Sequence, residues 1–133
     1  MRIHEFFMPM IPPTVTHQTQ KLGVRNGKPF VYPNTRLKDA RAKLTAHLGQ
    51  HRPDTPLEGP LRFVSKWCFP LTNGKTDGQW KDTKPDCSNI IKLPEDVMTD
   101  LGFWSDDAKI ASLTVEEFWA KIPGIWIHIE ELV

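Results

Sequence analysis

The alternation of apolar and polar residues predicts strands at four places in the chain. Residues Arg2 to Pro9 form a mostly apolar run, which we interpret as a first strand ended by a proline-rich segment. A second strand is expected at 59–70, where one face would carry Leu61, Phe63, Ser65, Trp67 and Phe69. Two closing strands are expected at 108–119 and 124–132. The inward positions of the last strand are Ile125, Ile127 and Ile129.

The segment 34–51 has helical spacing instead. Its apolar stripe consists of Leu37, Ala40, Leu44 and Leu48. Either Asn34 or Thr35 can cap the start of this helix, because both side chains can accept a hydrogen bond from a backbone N–H of the first turn.

A second helix is predicted from Ser88 to Leu101. On a helical wheel its polar residues fall in one arc and its apolar residues in the opposite arc. Ser88 is a suitable N-cap, and Gly102 is placed to end the helix as the C′ glycine. Pro94 removes one backbone donor, so we expect a kink near Ile90.

Two loops connect these elements. Residues 14–33 suit a mobile loop or a hairpin with its turn at Asn26-Gly27, and residues 71–85 form a polar Gly/Lys/Asp loop. A chain of 133 residues is long enough for one core but not for two. The order of elements predicts a single α+β domain over residues 1–133, in which two main helices pack against a small mixed β-sheet.

Composition narrows the possible classes of protein. The sequence has no apolar run as long as the roughly 18 residues of a membrane span, and its N-terminus lacks the features of an export signal. We therefore expect a cytoplasmic protein with no membrane partner. Without export, the two cysteines, Cys68 and Cys87, are expected to be free thiols.

Charge is distributed unevenly along the chain. Residues 1–92 carry 15 Lys/Arg and 7 Asp/Glu, whereas residues 93–133 carry 2 Lys/Arg and 9 Asp/Glu. The asymmetry is consistent with a basic surface for a polyanion beside an acidic pocket. Alternatively, folding could mix the two segments and leave no patch.

The segment 83–110 concentrates acidic residues around one lysine, Lys92. Its aspartates are Asp86, Asp96, Asp100, Asp106 and Asp107. After Gly102 the chain can turn back, so we expect Asp106 and Asp107 near the start of the second helix. Converging carboxylates repel one another unless a cation lies between them, and their oxygens suit Mg²⁺ or Mn²⁺.

These residues would form the metal site of a phosphodiesterase. The candidate ligands are Asp86, Asp96, Asp106 and Asp107, and Lys92 could stabilise transition-state charge. The structural alternative is that Asp86 only caps the helix and that the two adjacent aspartates only shape a turn.

The sequence "KPDCSNIIKLPEDVMTDLGFWSDDAKI" resembles the signature of the RusA-type Holliday-junction resolvases, a family common in prophages. That signature is roughly Lys/Arg-Pro-Asp-x-Asp-Asn-Leu-x-Lys, then Asp-Ala-Leu, a Gly-Phe/Leu-Trp stretch, and Asp-Asp-x-Gln-Val/Ile. The residues of this chain that match the signature, without gaps, are Lys84, Pro85, Asp86, Asn89, Lys92, Asp96, Gly102, Trp104, Asp106, Asp107 and Ile110.

The resemblance implies a RusA-like fold and a homodimeric endonuclease, dependent on Mg²⁺ or Mn²⁺, that nicks four-way DNA junctions in recombination and repair. It implies that Asp86, Lys92 and Asp107 are catalytic and that Asn89 orients the carboxylates. The family has a third essential carboxylate at position 88, where this chain has Ser88.

Three interpretations of Ser88 remain open. Asp96 could supply the missing charge, Ser88 could hold the metal through water, or the protein could be catalytically degenerate and still bind junctions.

DNA contact requires cations in adaptable segments. The residues expected to contact phosphates are Lys21, Arg25, Lys28, Lys75, Lys81 and Lys84. Trp80, in the lysine-rich loop, is a candidate for base stacking, while Trp67 and Trp104 are expected in the core. Outward-facing Trp126 suits a dimer surface or a DNA surface.

The alternatives to a nuclease are a junction-binding protein without catalysis and a small protein-interaction domain whose acidic face is only solvated.

Overall fold

The structure, a computed structural model, describes residues 1–16, 21–32 and 35–133, with the backbone alone for 21–25 and 29–32. The strands are β1 (Ile3–Pro9), β2 (Lys21–Arg25), β3 (Lys28–Tyr32), β4 (Leu61–Pro70), β5 (Ile110–Ala120) and β6 (Gly124–Glu131). The helices are α1 (Thr35–Gly49), α2 (Cys87–Ile90) and α3 (Lys92–Asp100), and a 3-10 turn covers Asp107–Lys109.

Four strands form one sheet in the order β1-β6-β4-β5. The β1–β6 and β6–β4 pairs are antiparallel, and β4 and β5 are parallel. Parallel neighbours need a crossover connection, and here the crossover carries α2 and α3. The predicted α+β class with a small mixed sheet is confirmed.

The helices cover one face of this sheet. On β4 the predicted inward residues, from Leu61 to Phe69, are all buried, and so are Ile125, Ile127 and Ile129 of β6. Ala40, Leu44 and Leu48 of α1 belong to the same core. The alternation predicted from the sequence is therefore confirmed on both strands.

The hairpin predicted at Asn26-Gly27 is present. β2 pairs with β3, and the turn residues have φ angles of 52° and 76°. Positive φ at both central residues matches the right-handed twist of the flanking strands, which is why Asn-Gly is favoured there. The proposed cap Asn34 lies outside the described residues, and α1 begins at Thr35.

The predicted helix from Ser88 to Leu101 is wrong in one respect, because it is two helices that meet at Ile91. The break lies next to the predicted kink. Pro94 falls in the first turn of α3, where backbone N–H groups have no intrahelical acceptor, so its missing donor costs little. The N-cap of α2 is Asp86, so the prediction that Ser88 is the cap is also wrong.

The end of α3 is as predicted. Gly102 has a φ of 84°, its N–H donates to the Thr99 carbonyl at 3.1 Å, and Phe103 N–H donates to the Met98 carbonyl at 3.0 Å. These two bonds make a Schellman motif, in which glycine is preferred because the left-handed conformation has no Cβ penalty there.

Two further expectations concern the whole chain. Cys68 and Cys87 are free thiols, as predicted. In the part of the chain that the structure describes, no helix has the length and apolar character needed to cross a bilayer.

Candidate active site

Asp86 occupies the junction between the loop 71–85 and α2. It is the N-cap residue, yet its side chain accepts no capping hydrogen bond from the backbone. Instead Asn89 Nδ2 donates to Asp86 Oδ1 at 2.7 Å. Asp86 is exposed, and the amide of Asn89 orients its carboxylate.

Lys92 begins α3 and is exposed. It borders an open depression of about 420 Å³. The lining residues are Cys87, Ser88, Ile91, Lys92, Glu95, Leu113 and Val115. The helical residues supply its polar rim, and β5 contributes an apolar floor.

A second group of acidic residues surrounds Arg41 of α1. Arg41 lies 3.8 Å from Asp96 Oδ2 and 3.5 Å from Asp100 Oδ2, which links α1 to α3. An open depression of about 460 Å³ is lined by Arg41, Asp96, Thr99, Asp100, Ser105, Asp106 and Asp107.

Asp106 and Asp107 have different roles in this second group. Asp106 Oδ1 accepts a hydrogen bond from Ala108 N–H at 2.8 Å and so shapes the 3-10 turn. The pKa of Asp107 is raised by loss of solvation, by a hydrogen bond with Asp106, and by the charges of Asp106 and Asp96. The pKa of Glu95 is raised by burial and then by Asp107 and Asp96. Negative charge is therefore crowded along α3.

The predicted metal ligands fall into two places in the monomer. Asp86 precedes α2, whereas Asp106 and Asp107 lie beside Asp96 and Asp100 on the second half of α3. The prediction that they return to the helix start is wrong, because Asp106 and Asp107 line a depression with Asp96, Thr99 and Asp100. The charge of Asp107 still reaches Glu95, which borders the depression beside Lys92.

Among the residues with described side chains, no group of three or more His, Cys, Asp or Glu could hold a metal ion. The donor chemistry still fits a hard cation in either place, because Mg²⁺ is commonly held by one or two carboxylates together with waters and substrate phosphates.

Sequence reasoning missed a buried ion pair next to Asp86. Lys81 Nζ lies 3.8 Å from Glu117 Oε1, and the two side chains are 4% and 2% exposed. Lys81 Nζ also donates to the carbonyls of Thr83 at 2.9 Å and Lys84 at 3.0 Å. Glu117 stands at an inward position of β5, and a charged residue at such a position is the only trace of this pair in the sequence pattern.

The environment of Glu117 disfavours the charged form of its carboxylate. The pKa of Glu117 is raised to about 7, chiefly because burial disfavours the charged form; the charge of Asp86 also raises it, and Lys81 lowers it. Among the described residues, Glu117 Oε2 and Trp119 Nε1 are buried without a hydrogen-bond partner. Such groups are rare in native cores, and each needs a structural or functional explanation.

The residues predicted to contact DNA are placed as follows. Lys28 and Lys84 are exposed, and Lys75 is partly exposed with its Nζ 5.8 Å from the Trp119 ring. Lys21 and Arg25 lie on β2, where the backbone alone is described.

The prediction that Lys81 contacts a DNA phosphate requires a correction. Its ammonium is engaged inside the protein by Glu117 and two carbonyls, so the predicted phosphate contact does not fit this placement.

The tryptophans divide as expected. Trp67 and Trp104 are each 1% exposed and belong to the core. Trp80 is 62% exposed and packs against Phe118 at 4.4 Å between ring centroids. Trp126 lies on the sheet face opposite the helices, with Lys66 Nζ 5.0 Å from its ring.

Comparison with known proteins places these residues in a family. The family model described as "Endodeoxyribonuclease RusA" matches residues 11–130. The chain is 29% identical over 130 residues to "Crossover junction endodeoxyribonuclease rusA" of Lactococcus phage r1t, covering 96% of each chain. It is 26% identical over 120 residues to "Uncharacterized protein YqaN" of Bacillus subtilis (strain 168), covering 82% of this chain and 84% of the relative. Because the match spans nearly the whole chain, including both acidic groups, the chain belongs to the RusA endodeoxyribonuclease family.

Proposed function

We propose that this protein is a divalent-metal-dependent endonuclease that resolves four-way DNA junctions as a homodimer in recombination and repair. The observation that carries the proposal is the family match over residues 11–130, which includes Asp86, Lys92 and Asp107. The name of the phage relative supports the choice of substrate.

The roles of the side chains follow from their placement. Asn89 holds the Asp86 carboxylate in one orientation, which prepares it for a ligand before substrate arrives. Lys92 is exposed at the start of α3 and can donate to a phosphate oxygen as charge develops there. Exposed Lys84, just before Asp86, can bind a neighbouring phosphate of the DNA backbone.

A bound Mg²⁺ or Mn²⁺ would neutralise phosphate charge and activate water. Asp86 is the first candidate ligand, with Asp96, Asp106 and Asp107 as candidates in the second acidic group. Arg41 already neutralises part of that second group, which favours Asp86 as the principal ligand.

A homodimer would explain how paired strands of a symmetric junction are cut. A two-fold dimer presents the same surface twice, as a four-way junction presents two equivalent strands. The sheet face opposite the helices exposes apolar side chains, including Ile3 at 63% and Phe7 at 37%, and could form the self-complementary interface.

The alternative is a catalytically weakened junction-binding protein. Ser88 stands where the family has a carboxylate, and it lies exposed on the depression that Lys92 also borders. In this case the protein would bind branched DNA and protect it without cutting.

The test uses a synthetic four-way junction and a linear duplex containing one of its arm sequences. With Mg²⁺ or Mn²⁺ we expect symmetric nicks in opposite strands of the junction, and with EDTA we expect none. The variant Asp86→Asn should bind the junction and fail to cut it.

Binding of the junction without cleavage in either metal would favour the alternative function. Equal affinity for junction and duplex would contradict both proposals and favour a protein-interaction domain.

A further inference from the structure

The buried ammonium of Lys81 needs a structural explanation, because an unpaired charge in the interior is strongly unfavourable. Five groups surround it: the carboxylate of Glu117, the carbonyls of Thr83 and Lys84, and two aromatic rings. Lys81 Nζ lies 4.6 Å from the Phe69 ring and 5.4 Å from the Trp119 ring. Hydrogen-bond acceptors and aromatic rings thus enclose the ammonium and compensate its buried charge.

The two carbonyls that Lys81 binds belong to the residues just before Pro85 and Asp86. The lysine side chain therefore folds back onto its own loop and fixes the peptide that enters α2. The carbonyl of Asp86 in turn accepts from the N–H groups of Asn89 at 3.1 Å and Ile90 at 3.0 Å, which form the first turn of α2.

The same loop is also attached to β5 through its backbone. Lys81 N–H donates to the Glu117 carbonyl at 2.9 Å, and Trp119 N–H donates to the Gln79 carbonyl at 2.8 Å. Trp80 forms a bridge with Phe118 at the same point. Residues 79–81 thus act as a short added strand, and the side chains of Lys81 and Glu117 meet where this attachment ends.

We propose that Lys81 and Glu117 are a positioning pair that anchors the 81–85 segment to β5 and so sets the direction of the Asp86 carboxylate. The inference rests on the proposed nuclease function for its catalytic consequence, while its structural consequence is independent of that function. Lys81 binds the carbonyls that precede Asp86, and Glu117 holds Lys81. Neither residue touches the substrate.

The experiment compares the wild type with the double variant Lys81→Met/Glu117→Gln. This variant removes both charges while it keeps the approximate side-chain volumes, so no unpaired charge is left in the interior. Hydrogen exchange is measured at the amides of Asn89 and Ile90 and throughout the chain. Single-turnover cleavage of a four-way junction gives the rate constant, and a titration gives the junction affinity.

We expect exchange at Asn89 and Ile90 to become about tenfold faster, because the first turn of α2 loses its anchor, while exchange in β4 and β6 stays as in the wild type. The cleavage rate constant should fall by about tenfold or more, with junction affinity unchanged, as for other residues that orient a ligand.

The matched control is Lys75→Met, in the same loop and over the same Trp119 ring. Because Lys75 is a candidate phosphate contact, its loss should weaken junction affinity and leave exchange at Asn89 and Ile90 unchanged. A positioning role requires the double variant to behave in the opposite way, with faster exchange at Asn89 and Ile90 and unchanged junction affinity.

Two results would overturn the inference. One is wild-type exchange at Asn89 and Ile90 in a folded double variant, and the other is faster exchange throughout the chain, which indicates a general loss of stability. If the wild type fails to cleave any junction, the proposed function fails, and the exchange measurement still decides whether the pair positions Asp86.

Discussion

The side-chain amide of Asn89 donates a hydrogen bond of 2.7 Å to Oδ1 of Asp86. Both residues belong to the start of α2, so the contact is local in sequence. It ties one carboxylate oxygen to the helix, while Asp86 as a residue stays exposed.

Replacement of Asn89 with Ala should release the Asp86 carboxylate. We expect the single-turnover cleavage rate to fall by about 10- to 100-fold, as for other groups that orient a ligand, with junction affinity retained. The control is Asn73→Ala, in an exposed part of the loop after β4. A cleavage rate equal to that of the wild type would show that Asn89 does not orient Asp86.

Replacement of Ser88 with Asp restores the carboxylate expected at this position. Ser88 is exposed on the first turn of α2, close to Asp86 in the chain, so the new oxygens can share a cation with it. We expect Mn²⁺ to bind about tenfold more tightly and cleavage to accelerate, because each added carboxylate strengthens a hard-cation site.

The control for this change is Ser88→Asn, which has a similar shape without the charge. Equal Mn²⁺ affinity in the two variants would contradict the prediction. Cleavage by Ser88→Asp alone, with an inactive wild type, would support the weakened junction-binding protein.

Exposed Lys28 and Lys84 should contribute to junction affinity through phosphate contacts. Each replacement with Ala should reduce the slope of log affinity against log salt by about 1, because one fewer counterion is released. Titrations at several salt concentrations measure this slope. The control is Lys43→Ala on α1, whose ammonium already donates to the Ile11 carbonyl at 2.8 Å. Unchanged slopes for Lys28 and Lys84 would remove them from the interface.

Acid should weaken the fold through Glu131. Hydrogen bonds from the backbone N–H groups of Glu58 and Arg2, and then from the Arg2 side chain, lower the pKa of Glu131 to about 2. Since the folded-state pKa lies below the unfolded value of 4.5, this stabilisation is present above pH 4.5 and is lost as the pH falls toward 2.

Denaturation of wild type and Glu131→Gln across that pH range measures the effect. We expect the wild type to lose more stability than the variant as the pH falls. High salt should leave most of the difference, because hydrogen bonds come first among the causes. Parallel curves for the two proteins would contradict the assignment.

Gly124 is required where β6 meets β1. A Cβ at this position would lie 2.6 Å from the Met8 carbonyl oxygen and would also meet the Phe7 ring. Gly124→Ala should therefore lower the free energy of unfolding by about 1 to 3 kcal/mol, the usual cost of overpacking.

Gly49→Ala is the matched control, because nothing lies within 4 Å of the added Cβ and alanine is favoured in helices. Chemical denaturation measures both variants. Equal stability of Gly124→Ala and the wild type would show that the two strands can separate at this point.

Local patterns in the sequence determined most of the elements. The alternation from Leu61 to Phe69 is a property of one strand, and the Asn-Gly hairpin depends on the φ preferences of two residues. Gly102 ends α3 for the same kind of reason. The two-helix form of 88–101 was only partly predictable, since Pro94 indicates a disturbance but not whether the helix bends or stops.

The tertiary structure alone decided which charged residues meet. Lys81 looks like any surface lysine of a polar loop until β5 brings Glu117 beside it. Arg41 joins Asp96 and Asp100 only because α1 packs against α3. Coulomb attraction and desolvation depend on distance and burial in space, which a chain pattern does not contain. The sequence by itself thus identified the acidic segment and its family, and the fold placed Asp106 and Asp107 with Asp96 and Asp100 in the depression beside Arg41.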